Sequence, residues 1–369
     1  MGYRFRLLPG NVAVALAAVA LAALIALRQI SGAKFTGGPE KRGGTNTEKM
    51  NEKVAFLFLV RDSVRHQDLW AKWFESSTGG DWRDHASVYV HIKPSSDSPR
   101  PRTTFPDLEP LFCDNVVPSV RSEWFFLHHA MVQLLMYSYA NRENVRFIFV
   151  SDSSIPLKSF DDTYDELVRK DGRSRICHAY PAEANQAWEP MADDPRVRDS
   201  IDHVSDLSKA SLWSSLSRDH AGLVVEHAGT TLRDWYGAYM DAPSHRWGAA
   251  DEMLLPTLLR THAGEAELSD CHGTVWGAAS DSRRLCCPHA EKWGDGNTGE
   301  VKPNPRFGRY PLWDGHKCVG GPCEYEKLSA DELREMTEME GVLFLRKVAE
   351  DAKVFTEENT WISIEEALG

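Results

Sequence analysis

Through most of this chain of 369 residues, apolar positions gather in short uninterrupted runs separated by polar stretches. Val54 to Val60 (VAFLFLV), Ser87 to Ile92 (SVYVHI) and Arg146 to Val150 (RFIFV) have strand length and little polar alternation, as strands covered on both faces do. Asp68 to Phe74 (DLWAKWF) lies between the first two and has helical spacing. The order strand, helix, strand predicts a parallel βαβ unit with a right-handed crossover. Glu123 to Ala140 is apolar on more than one face and predicts a long buried helix leading into the third strand. Ser159 is expected to cap a helix over Asp161 to Lys170, with Asp161 and Asp162 in its favourable first turn. Further helices are predicted over Asp219 to His227, Leu254 to His262, and Ser329 to Ala352, the last amphipathic and interrupted at Gly341. Asp171 to Ala210 and Asp270 to Tyr325 lack periodicity and are expected to form long loops. The fold class is therefore α/β, with a nucleotide-binding first half.

The beginning of the chain breaks this pattern. Val12 to Leu27 is a single charge-free apolar run flanked by Arg4, Arg6 and Arg28, without a polar face to meet water. It is short for a membrane span. The expectation is a cytosolic tail over 1–11, an uncleaved membrane anchor over 12–30, a flexible Gly- and Lys-rich stem over 31–52 and a lumenal domain over 53–369. A cleaved secretory signal is the alternative.

A net charge of −12 argues against a nucleic-acid partner, which needs a basic footprint. Seven cysteines suit a lumenal protein with a few disulfides and at least one free thiol. Their spacing lacks a paired Cys-X-X-Cys zinc signature, and adjacent Cys286 and Cys287, before Pro288 and His289, fit disulfide partnership better than one shared zinc.

Chemistry concentrates in two stretches. VRFIFVSDSSIPLKSF (Val145 to Phe160) is an apolar strand that empties abruptly into Ser151, Asp152 and Ser153, where ligands bind in open α/β sheets. AADEMLLPTLL (Ala249 to Leu259) puts Asp251 and Glu252 at the head of an apolar helix. These stretches resemble the "LLSESCIPL" and "DEHYLPTLL" motifs of the core-2/I-branching N-acetylglucosaminyltransferase-like family, glycosyltransferase family 14. Weaker blocks follow in the same order. KVAFLFLVRDS (Lys53 to Ser63) is similar to "KVAFLFL", and SVYVHIKP (Ser87 to Pro94) to "IYVHADP". Ser122-Glu123-Trp124 stands at the family's "WG", with the Gly missing. LSKASLWSSLSRDHA (Leu207 to Ala221) is similar to "WRKGSQWFELSRELA", and VLFLRKV (Val342 to Val348) to "FLFARKF".

The resemblance implies a GT-A-like mixed sheet and an inverting transfer of N-acetylglucosamine, xylose or glucuronic acid. The donor would be a UDP-sugar and the acceptor a hydroxyl of a glycan or glycoprotein, in the Golgi or ER-Golgi lumen. It implies Glu252 as the base that takes the acceptor's proton, and its place in a helix's first turn predicts that it stays ionised at neutral pH. Asp251 is expected to hold the local turn. Lys347 stands at the family's diphosphate-binding Lys, beside Arg346, with Arg309 and Lys317 both candidates for its companion cation. The chain contains no Asp-X-Asp, and the resembled family works without metal, so none is expected as cofactor. His91 is a candidate for the nucleotide pocket or a satisfied core histidine. Trp213 and Trp276 are candidates for a sugar-stacking face or for core packing. A hydrolase is disfavoured because no Gly-X-Ser-X-Gly elbow occurs. An inactive lumenal glycan-binding or scaffold protein on the same fold remains the rival.

Overall fold

The computed structural model describes residues 51–94, 108–123, 125–170, 172–176, 181–201, 203–242, 249–263, 268–269, 325–338, 342–358 and 360–368. They lie in one compact unit, Met50–Gly369. The segments read as tail, anchor and most of the stem lie outside the described residues, as do Cys286 to His289. Among the described residues, no helix is long and apolar enough to cross a membrane. Cys113 is free and is the one cysteine among them.

The three apolar runs form the heart of a six-stranded mixed sheet. β1 (Lys53–Val60) lies between β2 (Ala86–Ile92) and β3 (Asn144–Ser151), parallel to both. Helix α1 (Gln67–Glu75) connects β1 to β2, as the βαβ reading predicts. β1 is buried along nearly its whole length, which explains why VAFLFLV shows no alternation. Beyond β3 the sheet turns antiparallel through β6 (Ser215–Ser217) and β5 (Ser174–Arg175), then ends at β7 (Leu268–Ser269), giving the order β2-β1-β3-β6-β5-β7.

Helix α2 spans His128–Tyr139, shorter than the predicted Glu123 to Ala140. Residues 120–123 and 125–127 lie instead outside any helix, for reasons the site makes plain. The helix expected after Ser159 begins as α3 (Phe160–Tyr164), with the Ser159 hydroxyl accepting from the Asp162 N–H, and widens to a π-helical turn over Asp165–Lys170. Asp171 to Ala210 is more ordered than predicted: it contains β5, helix α4 (Pro181–Trp188) and a short Asp194-capped turn at Pro195–Arg198. Helices α5 (Arg218–His227), α6 (Thr231–Asp241) and α7 (Ala250–Ala263) follow.

The largest departure lies near the end. The predicted amphipathic helix Ser329 to Ala352 is helical only in α8 (Ala330–Glu338). Ser329 and Glu332 form a reciprocal capping box there, the Ser329 N–H donating to Glu332 Oε2 at 2.8 Å and the Glu332 N–H to Ser329 Oγ at 3.2 Å. After it, Val342 to Leu345 are all buried, which one face of a surface helix could not achieve. β9 (Phe344–Leu345) pairs antiparallel with β4 (Ile155–Pro156), and β10 (Val348–Phe355) joins a second sheet between β8 (Tyr325–Ser329) and β11 (Trp361–Ser363). Phe344 stacks on Trp70 of α1 at 5.7 Å between centroids, which ties this late segment into the core of the first half.

Candidate functional site

Three parallel strand ends converge on one point. In the register of the sheet, Leu59 pairs with His91 on one side and Ser151 on the other, so the C-terminal ends of β1, β2 and β3 lie side by side. This is where open α/β sheets present ligands. A cavity of about 350 Å³ opens there, lined by residues of all three strand ends, by Ser122, Glu123 and Leu127 of the loop before α2, and by Trp213, Arg346 and Lys347.

The polar turn after β3 is locally built. Ser151 Oγ lies 3.0 Å from Ser153 Oγ, and the Ser154 N–H donates to the Ser151 carbonyl at 3.1 Å. Asp152 accepts from the Arg61 N–H at 3.1 Å and from Ser151 Oγ at 3.1 Å, joining the ends of β1 and β3. Ser151 and Ser153 are buried and engage one another, so they shape the wall more than they offer free hydroxyls. His91 is buried, and its Nε2 accepts from the Val120 N–H at 3.0 Å. Burial pushes its pKa down to about 4, so it stays neutral and holds the 117–123 loop over the cavity.

Lys347 reaches the site from nearly 200 residues downstream by backbone stitching. The Leu157 N–H donates to the Leu343 carbonyl at 2.8 Å, β4 pairs with β9, and the Val348 N–H donates to the Ser153 carbonyl at 2.9 Å. This lays 342–348 along the outlet of β3. The sequence reading put Lys347 on a helix; it lies instead on the two-residue link between β9 and β10. Burial lowers its pKa to about 8, with Arg346 and Arg65 adding repulsion and Asp152 opposing. The Arg346 guanidinium sits over the Trp213 ring at 4.2 Å. Trp213 is only 7 % exposed, so of its two readings, a sugar-stacking face or core packing, its burial favours packing, with one ring face serving as Arg346's platform.

Among the described residues, five cations line the cavity, Arg61, Arg65, Lys93, Arg346 and Lys347, beside the carboxylates Glu123 and Asp152. Arg65 and Lys93 went unrecognised in the sequence, although each closely follows the end of a buried strand. Arg65 Nη1 donates to the Val348 carbonyl at 3.4 Å, and the exposed Arg61 is already beside Asp62 at 3.3 Å. In a chain of net charge −12, this local excess of positive charge marks a place for an anion.

The acidic pair heads α7. Asp251 is buried and accepts from the Leu127 N–H at 3.0 Å, while the Ala250 N–H donates to the Phe125 carbonyl at 3.0 Å. These two bonds keep 125–127 out of α2, and Asp251 holds a turn more than 120 residues away where the sequence reading had it holding the local one. Phe125 has φ 71°, which no α-helix accommodates. It is the third residue of a turn closed by the Phe126 N–H on the Glu123 carbonyl at 2.8 Å. That position favours glycine, and a left-handed conformation costs a residue with a Cβ roughly 1–2 kcal/mol. It follows Trp124, where the resembled pattern carries Gly.

Glu252 is 9 % exposed. Its carbonyl accepts from the Ala210 N–H at 2.8 Å, which brings Lys209 Nζ to 3.8 Å from Glu252 Oε2. The Thr257 hydroxyl braces the same segment, donating to the Ser208 carbonyl at 3.0 Å and accepting from the Ser208 N–H at 2.8 Å. Lys209 is a site residue that sequence reasoning missed. Burial, reinforced by the charge of Asp251, pushes the Glu252 pKa up to about 8 against the pull of Lys209 and Arg346. The expectation that its first-turn position keeps it ionised at neutral pH is corrected. A helix terminus contributes roughly 0.3–1 kcal/mol, worth less than one pH unit of titration, and burial outweighs it. Glu252 is not part of the cavity lining; Arg346, which is, acts on it electrostatically.

Trp276, Arg309 and Lys317 lie outside the described residues. Among the described residues, no group of three or more His, Cys, Asp and Glu side chains is placed to hold a metal ion.

The family model for Core-2/I-Branching enzyme matches residues 54–303, well over half of the chain. The chain belongs to the core-2/I-branching enzyme family. The match takes in the outlets of β1, β2 and β3 and the acidic head of α7, whereas Arg346 and Lys347 lie beyond it. Among curated proteins, glycosyltransferase BC10 of Oryza sativa subsp. japonica is 28% identical over 241 residues, covering 59% of this chain and 56% of its own length. The chain thus spans little more than half of that family relative. Among solved structures, mouse xyloside xylosyltransferase 1 in its apo form aligns with 62% of this chain and 88% of its own, at 12% identity and a TM-score of 0.29.

Proposed function

We propose that the chain is an inverting glycosyltransferase with a GT-A-like fold. It would move N-acetylglucosamine, xylose or glucuronic acid from a UDP-sugar to a hydroxyl of a glycan or glycoprotein, without a catalytic metal. The observation that carries this reading is the cavity at the β1, β2 and β3 outlets, lined by Arg65, Lys93, Arg346 and Lys347, cations of the kind that hold a diphosphate. A bound diphosphate would raise the Lys347 pKa and keep it protonated at pH values above about 8.

In the proposed reaction Glu252 takes the proton from the acceptor hydroxyl as its oxygen attacks the anomeric carbon. The glycosidic bond breaks on the opposite face, and UDP leaves with the electron pair. A carboxylate titrating near pH 8 is a stronger base than an ordinary glutamate, acting in the molecules in which it is ionised. Donor binding reinforces it: neutralising Arg346 removes a charge that now holds the Glu252 pKa down. Arg346 and Lys347 stabilise the departing diphosphate as preorganised charge. The proposed setting is the Golgi or ER-Golgi lumen, on an anchor formed by the apolar run Val12 to Leu27.

The test is a UDP-release screen of the full chain with EDTA, across UDP-sugars and simple acceptors. Acceptor-dependent release of UDP supports the proposal. Saturable UDP binding without turnover of any donor would favour the inactive glycan-binding rival.

A further inference from the structure

We infer that His66 and Glu365 are positioning residues for the diphosphate: the bond between them fixes the place of Arg65 in the cavity wall. Helix α9 (Ile364–Leu368), which carries Glu365, thereby serves the donor site without lining it. This rests on the glycosyltransferase reading above and deepens its donor side. The helix lies beyond residues 54–303, which the family model matches.

Arg65 lies in the link between β1 and α1 and lines the cavity. The outlet of β3 fixes its backbone on one side, the Arg65 N–H donating to the Asp152 carbonyl at 2.9 Å. The next residue supplies a second fixed point. The His66 side chain is fully buried, and its Nδ1–H donates to Glu365 Oε1 at 2.5 Å. Its Nε2 is buried without a partner, so Glu365 is the one polar partner of this ring among the described residues. A hydrogen bond to a carboxylate is stronger than a neutral one, and a buried ring that loses it is left unsatisfied at both nitrogens.

The same helix grips the other cationic segment. Ile364 is fully buried and packs in one apolar cluster with Leu69, Leu345 and Val348. Leu345 and Val348 flank Arg346 and Lys347, and Leu69 belongs to α1. Arg65 Nη1 donates to the Val348 carbonyl at 3.4 Å, so the two segments meet at the cavity. α9 is thus bonded beside Arg65 and packed beside Lys347, residues that stand nearly 300 positions apart. Fixed charges stabilise a departing diphosphate only as well as their spacing is held, and this clasp holds it.

The experiment titrates UDP calorimetrically into the full chain with EDTA, and follows donor and acceptor kinetics with whichever UDP-sugar proves active. Glu365→Ala should weaken UDP binding and raise donor KM about fivefold, while acceptor KM stays within about twofold. Glu365→Gln, whose amide oxygen still accepts from the His66 Nδ1–H, should recover most of that affinity. Glu366→Ala, at the exposed neighbouring position, should match the wild type. Because Glu365 acts through Arg65, the double variant Arg65→Ala, Glu365→Ala should bind UDP no more weakly than Arg65→Ala alone. Should Glu365→Ala not fold, Glu365→Asp, which keeps the charge and withdraws it by one methylene, carries the same comparison. A lowered Tm with UDP affinity and donor KM at wild-type values, or penalties that add in the double variant, overturns this inference and leaves the glycosyltransferase reading standing. A wild-type chain that binds no UDP overturns both.

Discussion

The acidic and basic halves of this site are built in opposite ways. Asp251 and Glu252 are neighbours in one helical turn, and burial, reinforced by the charge of Asp251, drives the Glu252 pKa up. The cations come from four separate segments, the outlets of β1 and β2, the Lys209 region and the 346–347 link, and burial, with repulsion from Arg346 and Arg65, drives the Lys347 pKa down. Both shifts end near pH 8 from opposite directions. Both groups therefore change charge in the pH range in which the proposed reaction would use them, Glu252 as a base and Lys347 as a cation for the diphosphate. A pair of this kind is a signature of acid–base work more than of structural ion pairing.

Removing the base tests the acidic half most severely. Glu252→Gln should lower transfer by about 10²-fold or more while leaving UDP affinity nearly intact. Equal activity in the variant would end the role assigned to Glu252. Lys347→Ala should raise the donor KM about tenfold and also slow transfer, because its charge serves both bound substrate and transition state. Unchanged donor kinetics would mean that the diphosphate sits elsewhere.

The pH profile of kcat/KM sharpens the comparison. Below about pH 8 Glu252 takes up a proton and transfer falls; above about pH 8 Lys347 loses its own and donor capture falls. The expected profile is a narrow bell centred near 8. Its alkaline limb should move to higher pH in kcat, where bound diphosphate keeps Lys347 charged, and should vanish in Lys347→Arg, since a guanidinium does not titrate there. A flat profile from pH 6 to 9 would contradict both shifts.

The smallest expected effect is on stability. The folded Glu252 pKa of about 8 lies above its ordinary 4.5, so the buried neutral form is fully favourable below about 4.5, and stability is lost as pH rises through about 8. Glu252→Gln should therefore raise Tm by roughly 3 °C at pH 8.5 and change it little at pH 4. A destabilised variant at pH 8.5 would show that the ionised Glu252 is well paired.

The local half of this design was largely legible in the sequence. Asp251 and Glu252 are adjacent at the head of an apolar helix, and the strands are apolar runs bounded by polar residues, so pattern and spacing suffice to place each. The basic half was legible only in part. Lys347 stood out by resemblance, yet its segment was predicted as helix, because the pairing of 342–348 with 153–157 is a contact between distant residues that no local periodicity records. Arg65, Lys93 and Lys209 escaped for the same reason: each is unremarkable among its neighbours and acquires meaning from what folds against it. The ionisation of Glu252 was misjudged because a helix terminus is visible in sequence and the depth of burial is not.

The most direct test of the account is calorimetric titration of UDP into the full chain in the presence of EDTA, at low and high salt. The account predicts saturable binding without metal in the wild type and in Glu252→Gln, about tenfold weaker binding in Lys347→Ala, and affinity that falls as salt screens the partly exposed clamp. Binding that appears only when Mn²⁺ is restored, or that is indifferent to Lys347, would contradict it and turn attention to Asp152 as a metal ligand.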